Sequence, residues 1–483
     1  MFENQPKALY ALALANTGER FGYYTMIAVF SLFLRANFGL SGNTAGLIYG
    51  VFLALVYFLP LVGGIMADKF GYGKMVTIGI IVMFAGYLFL SIPLGGGVMG
   101  YAAMFGALLL VSLGTGLFKG NLQVMVGNLY DAPELSAKRD SGFSIFYMAI
   151  NIGALFAPTA AVRIKEWAEH SLGYSGNDAY HFSFAVACVS LIVSMMIYYA
   201  FRSTFKHVEA GAGKSKKTDT AGTEEELTPQ QTKERIVALC LVFAVVIFFW
   251  MSFHQNGLTL TFFADEFVSP KSEGVQTMAF DVINLVMIIF MVYSSMSFFQ
   301  GKTSKAKLIS TVVFLAAVGV LVYKYHNIGG PVDVSAPIFQ QFNPFYVVAL
   351  TPVSMAIFGA LAAKGKEPTA PRKIAYGMII AGSAYLLMVL ASRGLLTPNE
   401  QAAAKAAGEA VPFASGNWLI GTYLILTFGE LLLSPMGISF VSKVAPPKYK
   451  GAMMGGWFVA TAIGNLLVSV GGFLWNDIPL TIV

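Results

Sequence analysis

The chain has 483 residues, of which 56% are apolar and only 12% are charged, and its mean hydropathy is +0.67. In soluble globular proteins about a quarter of the residues are charged. One protein interior cannot hide this much apolar surface, so the composition excludes a soluble fold. It indicates an all-α polytopic membrane protein whose helices have lipid as their solvent.

Runs of about 20 apolar residues are long enough to cross a bilayer as helices. We predict thirteen such helices, at 8–34, 43–66, 75–94, 101–128, 142–162, 181–201, 235–263, 277–299, 306–323, 337–362, 374–391, 416–441 and 452–475. The first run is expected to remain as a membrane helix, because Lys7 is its only basic residue and a second apolar run follows at once. After Asn476 and Asp477 another apolar run begins, so we expect about fourteen helices, the last of them mostly beyond this sequence.

The net charge of +6 is explained by topology. If the amino terminus is cytoplasmic, 22 of the 31 Lys and Arg residues lie in cytoplasmic loops and seven lie in outer loops. This asymmetry obeys the positive-inside rule, and one missed helix would invert it for every later loop. We therefore predict a multi-pass protein of the cell's inner (plasma) membrane with a cytoplasmic amino terminus and no nucleic-acid partner.

A polar segment divides the apolar runs into two groups. Residues 203–234 are rich in Gly, Ser, Thr, Lys and Glu, and we interpret them as a cytoplasmic linker. The predicted domains are an amino-terminal six-helix bundle at 1–202 and a carboxy-terminal bundle at 235–483. The second bundle contains an extra helical hairpin at about 277–323, whose basic turn fits the cytoplasmic side.

Four charged residues lie at membrane depth in the apolar runs: Glu19, Arg20, Lys119 and Glu430. A charge at a helix centre costs about 2.5 to 3.5 kcal/mol, so these side chains must face a protein interior or a cavity. They are either structural pairs that hold helices together or parts of a polar path. The two cysteines, Cys188 and Cys240, lie in apolar runs and are expected to be packing residues, so we predict no metal site and no cofactor.

Seven motifs along the chain resemble those of the proton-dependent oligopeptide transporters, a branch of the major facilitator superfamily. The first is Glu19-Arg20-Phe21-Gly22-Tyr23-Tyr24 in the first helix. The others follow in order: Gly63, Gly64, Ala67, Asp68, Lys69 and Gly73; Gly114, Gly116, Lys119 and Asn121; Phe146, Tyr147, Ile150, Asn151 and Gly153; Phe339, Gln340, Asn343 and Pro344; Gly429, Glu430, Ser434 and Pro435; and Met453, Met454, Gly455, Trp457 and Phe458. Each motif alone is weak, but the ordered set covers nearly the whole chain.

The resemblance implies two six-helix bundles around a central cavity that opens alternately to each side. The implied function is proton-coupled symport of di- and tripeptides by a monomeric protein. Lys119 is expected to bind the peptide carboxylate and Glu430 the peptide amine. The substrate-binding residues it suggests are Tyr23, Tyr24, Tyr57, Lys119, Asn151, Asn343, Glu430, Ser434 and Trp457; those for proton coupling are Glu19, Arg20, Glu430 and His254; Asp68 is the gating residue.

Three departures from the family's motifs bear on substrate and coupling. Asn16 occupies the position of a glutamate that the family associates with proton coupling, and Ile27 stands where many peptide-transporting members have arginine. Phe253 and His254 replace an acidic residue or pair in the seventh helix. Transport of a non-peptide solute, or transport without proton coupling, therefore remains the alternative. An enzyme would need a nucleophile with a base, or a metal cluster, and we find neither pattern.

Overall fold

The computed structural model describes residues 5–136, 138–210, 228–446 and 450–483, and helices dominate them. The amino-terminal half contains α1 (Lys7–Phe38), α2 (Gly42–Phe70), α3 (Tyr72–Ser91), α4 (Val98–Asn128), the short α5 (Pro133–Ser136), α6 (Arg139–Leu172) and α7 (Tyr180–Ala200). Two single turns of 3₁₀-helix follow at Arg202–Thr204 and Lys206–Val208. Much of the predicted linker, 211–227, lies outside the described residues.

The carboxy-terminal half is also helical. Its helices are α8 (Pro229–Phe253), α9 (Thr259–Phe267), α10 (Val282–Gln300), α11 (Ser304–His326), α12 (Phe342–Ala363), α13 (Ala370–Ala391), α14 (Pro398–Ala406), α15 (Asn417–Val444), α16 (Lys450–Leu467) and α17 (Ser469–Leu474). Turns of 3₁₀-helix lie at His254–Gly257, Gly274–Phe280 and Ala336–Gln341. Two short strands, β1 (Lys271–Ser272) and β2 (Val332–Asp333), pair antiparallel, with Lys271 opposite Asp333.

The described residues contain twelve helical stretches that are long and apolar enough to cross a membrane. Each coincides with one of the predicted runs. The one remaining prediction, the helix at 8–34, corresponds to α1. This 32-residue helix carries Glu19 and Arg20 at mid-length and is not one of the twelve. The predicted hairpin is present as α10 and α11, which pack together. The fold is that of an all-α, multi-pass membrane protein, as predicted.

Several element boundaries differ from the predicted ones for local reasons. The helix predicted to end at residue 162 continues as α6 to Leu172, because Lys165 and Glu169 form an (i, i+4) ion pair that stabilises its polar end. The sequence analysis missed α14, which begins with a capping box between Thr397 and Glu400. Two predicted continuous helices are broken, one at 254–257 and the other at Val468 between α16 and α17.

The helices form two compact units. The first comprises described residues of 1–153, 160–258 and 437–476, and the second those of 154–159, 259–436 and 477–483. In the first unit α1 packs on α7, α4 lies against α2 and α3, and α2 also contacts α16 and α17. In the second unit α10 packs on α11 and α12. The division into two bundles at the 203–234 linker stays a prediction.

Glycines allow the backbones of the first unit to approach closely. A Cβ atom at Gly63 in α2 would lie 2.1 Å from the carbonyl oxygen of Gly116 in α4. A Cβ at Gly50 would lie 2.9 Å from the Leu466 carbonyl oxygen of α16. Small residues at helix contacts are typical of membrane bundles, where close van der Waals packing contributes much of the association energy.

The α2–α4 contact leads to a direct prediction. Gly63→Val should force α2 and α4 apart, lower the free energy of unfolding by about 1 to 3 kcal/mol and lower the melting temperature of the detergent-solubilised protein. Gly64→Val is the matched control, because a Cβ at Gly64 has no neighbour within 4 Å. Equal melting temperatures for the two variants would show that the close contact is not needed for stability.

Candidate functional site

Glu19 and Arg20, the charged pair of α1, are almost fully buried, with side chains 0% and 3% exposed. The guanidinium donates two hydrogen bonds to the carboxylate, one from Nε and one from Nη2. Its central carbon also lies 4.6 Å from the ring centroid of Tyr23. Such bidentate pairing stabilises both charges away from water, so neither is exposed to lipid.

Lys119 in α4 lies beside an aromatic side chain of α2. Its ammonium nitrogen is 4.0 Å from the ring centroid of Tyr57, within cation–π distance. Among the described residues of the first unit, this ammonium forms no ion pair. The lysine is thus a half-buried cation held by an aromatic ring, which leaves it able to bind an anion.

His254, at the point where α8 ends, lies next to Lys119 and Tyr57 through its contact with the Tyr57 ring. Its ring lies 5.7 Å from that of Tyr57 and stacks on Trp250 at 5.3 Å. The imidazole of His254 interacts with the side-chain amide of Asn465 in α16, which is fully buried. Polar side chains are costly in a membrane interior, so these two mark a place where a ligand or a proton is expected.

The backbone around His254 is irregular because two helix breaks are joined there. The side-chain amide nitrogen of Gln255 (Nε2) donates to the Val468 backbone carbonyl at 3.0 Å. This bond links the break after α8 to the break after α16. Gly257 is required at this place, since a Cβ atom there would lie 1.9 Å from the Tyr49 hydroxyl. Discontinuous helices of this kind line binding sites in transporters.

The second unit contains a buried glutamate that accepts a hydrogen bond from a neighbouring helix. Glu430 in α15 is 7% exposed. The side-chain amide of Asn343, in the first turn of α12, donates to Glu430 Oε2 at 2.8 Å and to Thr427 Oγ1 at 3.0 Å. The Ser434 hydroxyl, one turn further along α15, is buried and has no hydrogen-bond partner among the described residues. The structure therefore groups the predicted Asn343 and Glu430 by direct contact.

Other predicted site residues lie in packed surroundings. Tyr23 is 3% exposed and contacts the rings of Tyr24 and Phe52. Asn151 is also buried, and its amide donates to the Tyr147 carbonyl of its own helix. Trp457 is 4% exposed because its ring lies directly against the backbone of Gly437. In the structure described here these three side chains contribute to packing.

Asp68, the predicted gating residue, lies exposed in the last turn of α2. It accepts a hydrogen bond of 2.6 Å from the hydroxyl of Tyr72, at the start of α3. The bond spans the tight turn at Gly71, which has a φ of 100° that only glycine adopts readily. This carboxylate therefore holds together the two ends of the turn between α2 and α3.

Sequence reasoning missed Trp250 and Asn465. The asparagine had a usable signal, because it is a lone amide in the apolar run of α16 and is fully buried. Trp250 also had a signal, because it stands four residues before His254 in the same predicted helix, and residues at that spacing lie side by side.

The chain is similar in sequence to known proteins. A sequence profile of the POT family matches residues 73–219 and 310–480. A dipeptide and tripeptide permease B of Xenorhabdus bovienii (strain SS-2004) is 26% identical over 481 residues, which cover 96% of this chain and 86% of the relative. A di-/tripeptide transporter of Lactococcus lactis subsp. cremoris is 28% identical over 497 residues, covering 96% of this chain and 89% of the relative.

The fold also matches solved structures. A POT family transporter in complex with 5-aminolevulinic acid superposes with a TM-score of 0.71 at 21% identity, covering 98% of this chain and 91% of that one. At this identity the likeness supports the fold alone. Because the family profile matches well over half of the sequence, in both its amino-terminal and its carboxy-terminal parts, the chain belongs to the POT family of transporters.

Proposed function

We propose that the protein carries di- and tripeptides into the cell together with protons, by alternating access. The observation that carries the proposal is that two opposite charges are withdrawn from lipid, the half-buried cation of Lys119 and the buried anion of Glu430. A peptide zwitterion needs both, because burying its carboxylate or its amine unpaired is prohibitive. The relatives named as di- and tripeptide carriers support the same substrate class.

The predicted residues take different parts in this mechanism. Lys119, with Tyr57 beside it, binds the peptide carboxylate, while Glu430 binds the amine and Asn343 orients Glu430. Ser434 supplies a further hydrogen bond. Tyr23, Tyr24, Asn151 and Trp457 shape the walls of the site.

The arrangement in the membrane follows from charge. We infer a cytoplasmic amino terminus, a plasma-membrane location and two helical bundles joined by the linker at 203–234, because most basic residues then lie in cytoplasmic loops. The protein works as a monomer, since each chain carries both charges of the proposed site. Counterflow of labelled dipeptide in proteoliposomes tests the function, because only a transporter exchanges it across the bilayer.

Removal of the cation gives the first test of the site. Lys119→Ala should lower peptide uptake on the order of 30-fold or more, because a buried carboxylate loses its charged partner. Tyr57→Leu should raise the KM for peptide several-fold, whereas Tyr57→Phe keeps the cation–π contact and should transport normally. Lys305→Ala is the control, since Lys305 is exposed at the start of α11. Normal uptake by Lys119→Ala would exclude the lysine from the mechanism.

The proton path is proposed to include Glu19, Arg20, Glu430 and His254. Glu19 is held by Arg20, so it can accept a proton only when that pair opens. His254 contributes an imidazole, the side chain whose charge changes most readily near neutral pH.

This path predicts separate effects on exchange and accumulation. His254→Gln should retain counterflow exchange but lose uphill uptake under an imposed pH gradient, because glutamine cannot carry the proton. His326→Gln is the control, since that histidine is exposed at the end of α11. Equal accumulation by His254→Gln and the parent would show that His254 is not needed. If the parent itself cannot accumulate peptide, facilitated diffusion describes the protein better.

Asp68 is proposed to act in gating through its bond across the α2–α3 turn. Asp68→Asn keeps the acceptor oxygen but removes its charge, so the protein should shift towards the inward-open state. Reactivity of single cysteines introduced on each face, after Cys240→Ser, reports that shift. Asp131→Asn, in an exposed loop, is the control. Unchanged reactivity on both faces would exclude Asp68 from gating.

A further inference from the structure

The segment that follows α7, residues 202–209, is docked onto the first unit although its composition is polar. Phe205 and Val208 are 0% and 5% exposed, while Lys206 and His207 face solvent. The Phe205 ring packs on Tyr198, with centroids 4.9 Å apart. A solvated linker would not bury two apolar side chains, so these contacts anchor the segment. We call residues 202–209 the docked segment.

Glu209 is the last residue of the docked segment, and its carboxylate is only 10% exposed. Arg202 donates to it from Nε and from Nη2, each at 2.8 Å to a different oxygen, and the Tyr198 hydroxyl donates at 3.0 Å. The hydrogen bond and charge of Glu209 raise the pKa of Arg202, because both favour the protonated guanidinium. This is the bidentate geometry in which an Arg–carboxylate pair is strongest.

The same residue contacts the turn between α2 and α3. The Gly73 amide donates to the Glu209 carbonyl at 3.2 Å. This amide is in the first turn of α3, where backbone N–H groups have no helical partner, so Glu209 caps the helix. A Cβ atom at Gly73 would lie 2.6 Å from Glu209 Cγ and Cδ, which shows how tightly the side chain covers this position. A negative charge here also favours the helix dipole.

A second hydrogen bond joins α3 to the end of α7, one turn further along α3. The hydroxyls of Thr77 and Tyr199 lie 2.9 Å apart and share a hydrogen bond. Together with Glu209 it connects the end of α7 to the start of α3. The turn at Gly71 follows α2 directly, so α2, α3 and α7 meet at one place.

We propose that Glu209 is a positioning residue for transport: it fixes the α2–α3 turn to the end of α7, so that α2, α3 and α7 move as one body. Tyr57, which contacts Lys119, lies on α2 about 20 Å from the turn at 1.5 Å per residue. A loose turn would let the end of α2 move independently of α3 and α7 and slow the conformational step, while the packing of α2 on α4 keeps Tyr57 beside Lys119. The transport part of this inference rests on the function proposed above; the structural part does not.

Hydrogen–deuterium exchange tests the structural part without any substrate. Glu209→Ala should increase exchange in peptides covering residues 71–77 about tenfold. The variant loses the carboxylate's bonds to Arg202 and Tyr198, which hold the capping backbone carbonyl of residue 209 against α3. Tyr198→Phe, which removes the hydroxyl that donates to Glu209 and keeps the ring, should give a smaller increase and serves if Glu209→Ala folds poorly. Glu166→Ala is the matched control, since its pair with Arg163 is exposed. Unchanged exchange at 71–77 in Glu209→Ala would overturn the proposal.

Transport kinetics test the functional part. Glu209→Ala should lower Vmax for peptide counterflow about fivefold and leave the KM unchanged, because a conformational step slows while the binding site is intact. Glu166→Ala should change neither. Loss of protection at 71–77 with normal Vmax would refute the positioning role. If the parent transports no peptide, the exchange result still stands, and the proposed function alone fails.

A double variant checks that Gly73 and Glu209 act through each other. Gly73→Ala should displace the Glu209 side chain and by itself lower Vmax about fivefold. Combined with Glu209→Ala, it should add little further loss, because residues in direct contact are not additive. Multiplied losses in the double variant would show two independent effects and contradict the proposal.

Discussion

The need to keep charge away from lipid is the constraint on which the rest of this structure depends. Glu19 and Arg20 are paired within α1, and Glu430 accepts a hydrogen bond from Asn343. Lys119 lies against an aromatic ring. Each solution requires particular neighbours at a particular depth, so the helices that carry these residues must pack in a defined register. The same groups that constrain packing are those able to bind a charged solute.

Close backbone packing and broken helices are two consequences of this constraint. Gly63 allows α2 to approach α4, which brings Tyr57 and Lys119, each within one or two turns of the contact, to the same place. The break at 254–257 places His254 at the end of α8. It also lets the Gln255 side chain donate to the Val468 carbonyl, at the break between α16 and α17. Irregular backbone is tolerated at membrane depth only where protein or a cavity surrounds it. A rigid scaffold with local irregularity is what a transport site requires.

The predicted family, fold class and helical hairpin are confirmed, because they depend on signals that accumulate along the chain. Hydropathy over about 20 residues and ordered motifs each average over many positions. Helix ends were less well predicted, since α6 and α14 are decided by single ion pairs and caps. The roles of the individual site residues remain predictions. The structure brings Lys119 together with Tyr57, and Glu430 with Asn343, whereas Tyr23 and Trp457 lie in packed surroundings.

The sequence by itself determined that this is a polytopic helical membrane protein, which residues carry charge into the membrane, and which family motifs they belong to. These properties follow from composition and spacing, which do not need a folded chain. Only the tertiary structure decided that the Tyr57 ring lies against the Lys119 ammonium and that the Glu209 carbonyl caps α3 at Gly73. Those contacts join residues 62 and 136 positions apart, and no periodicity within one helix specifies which face of another it meets.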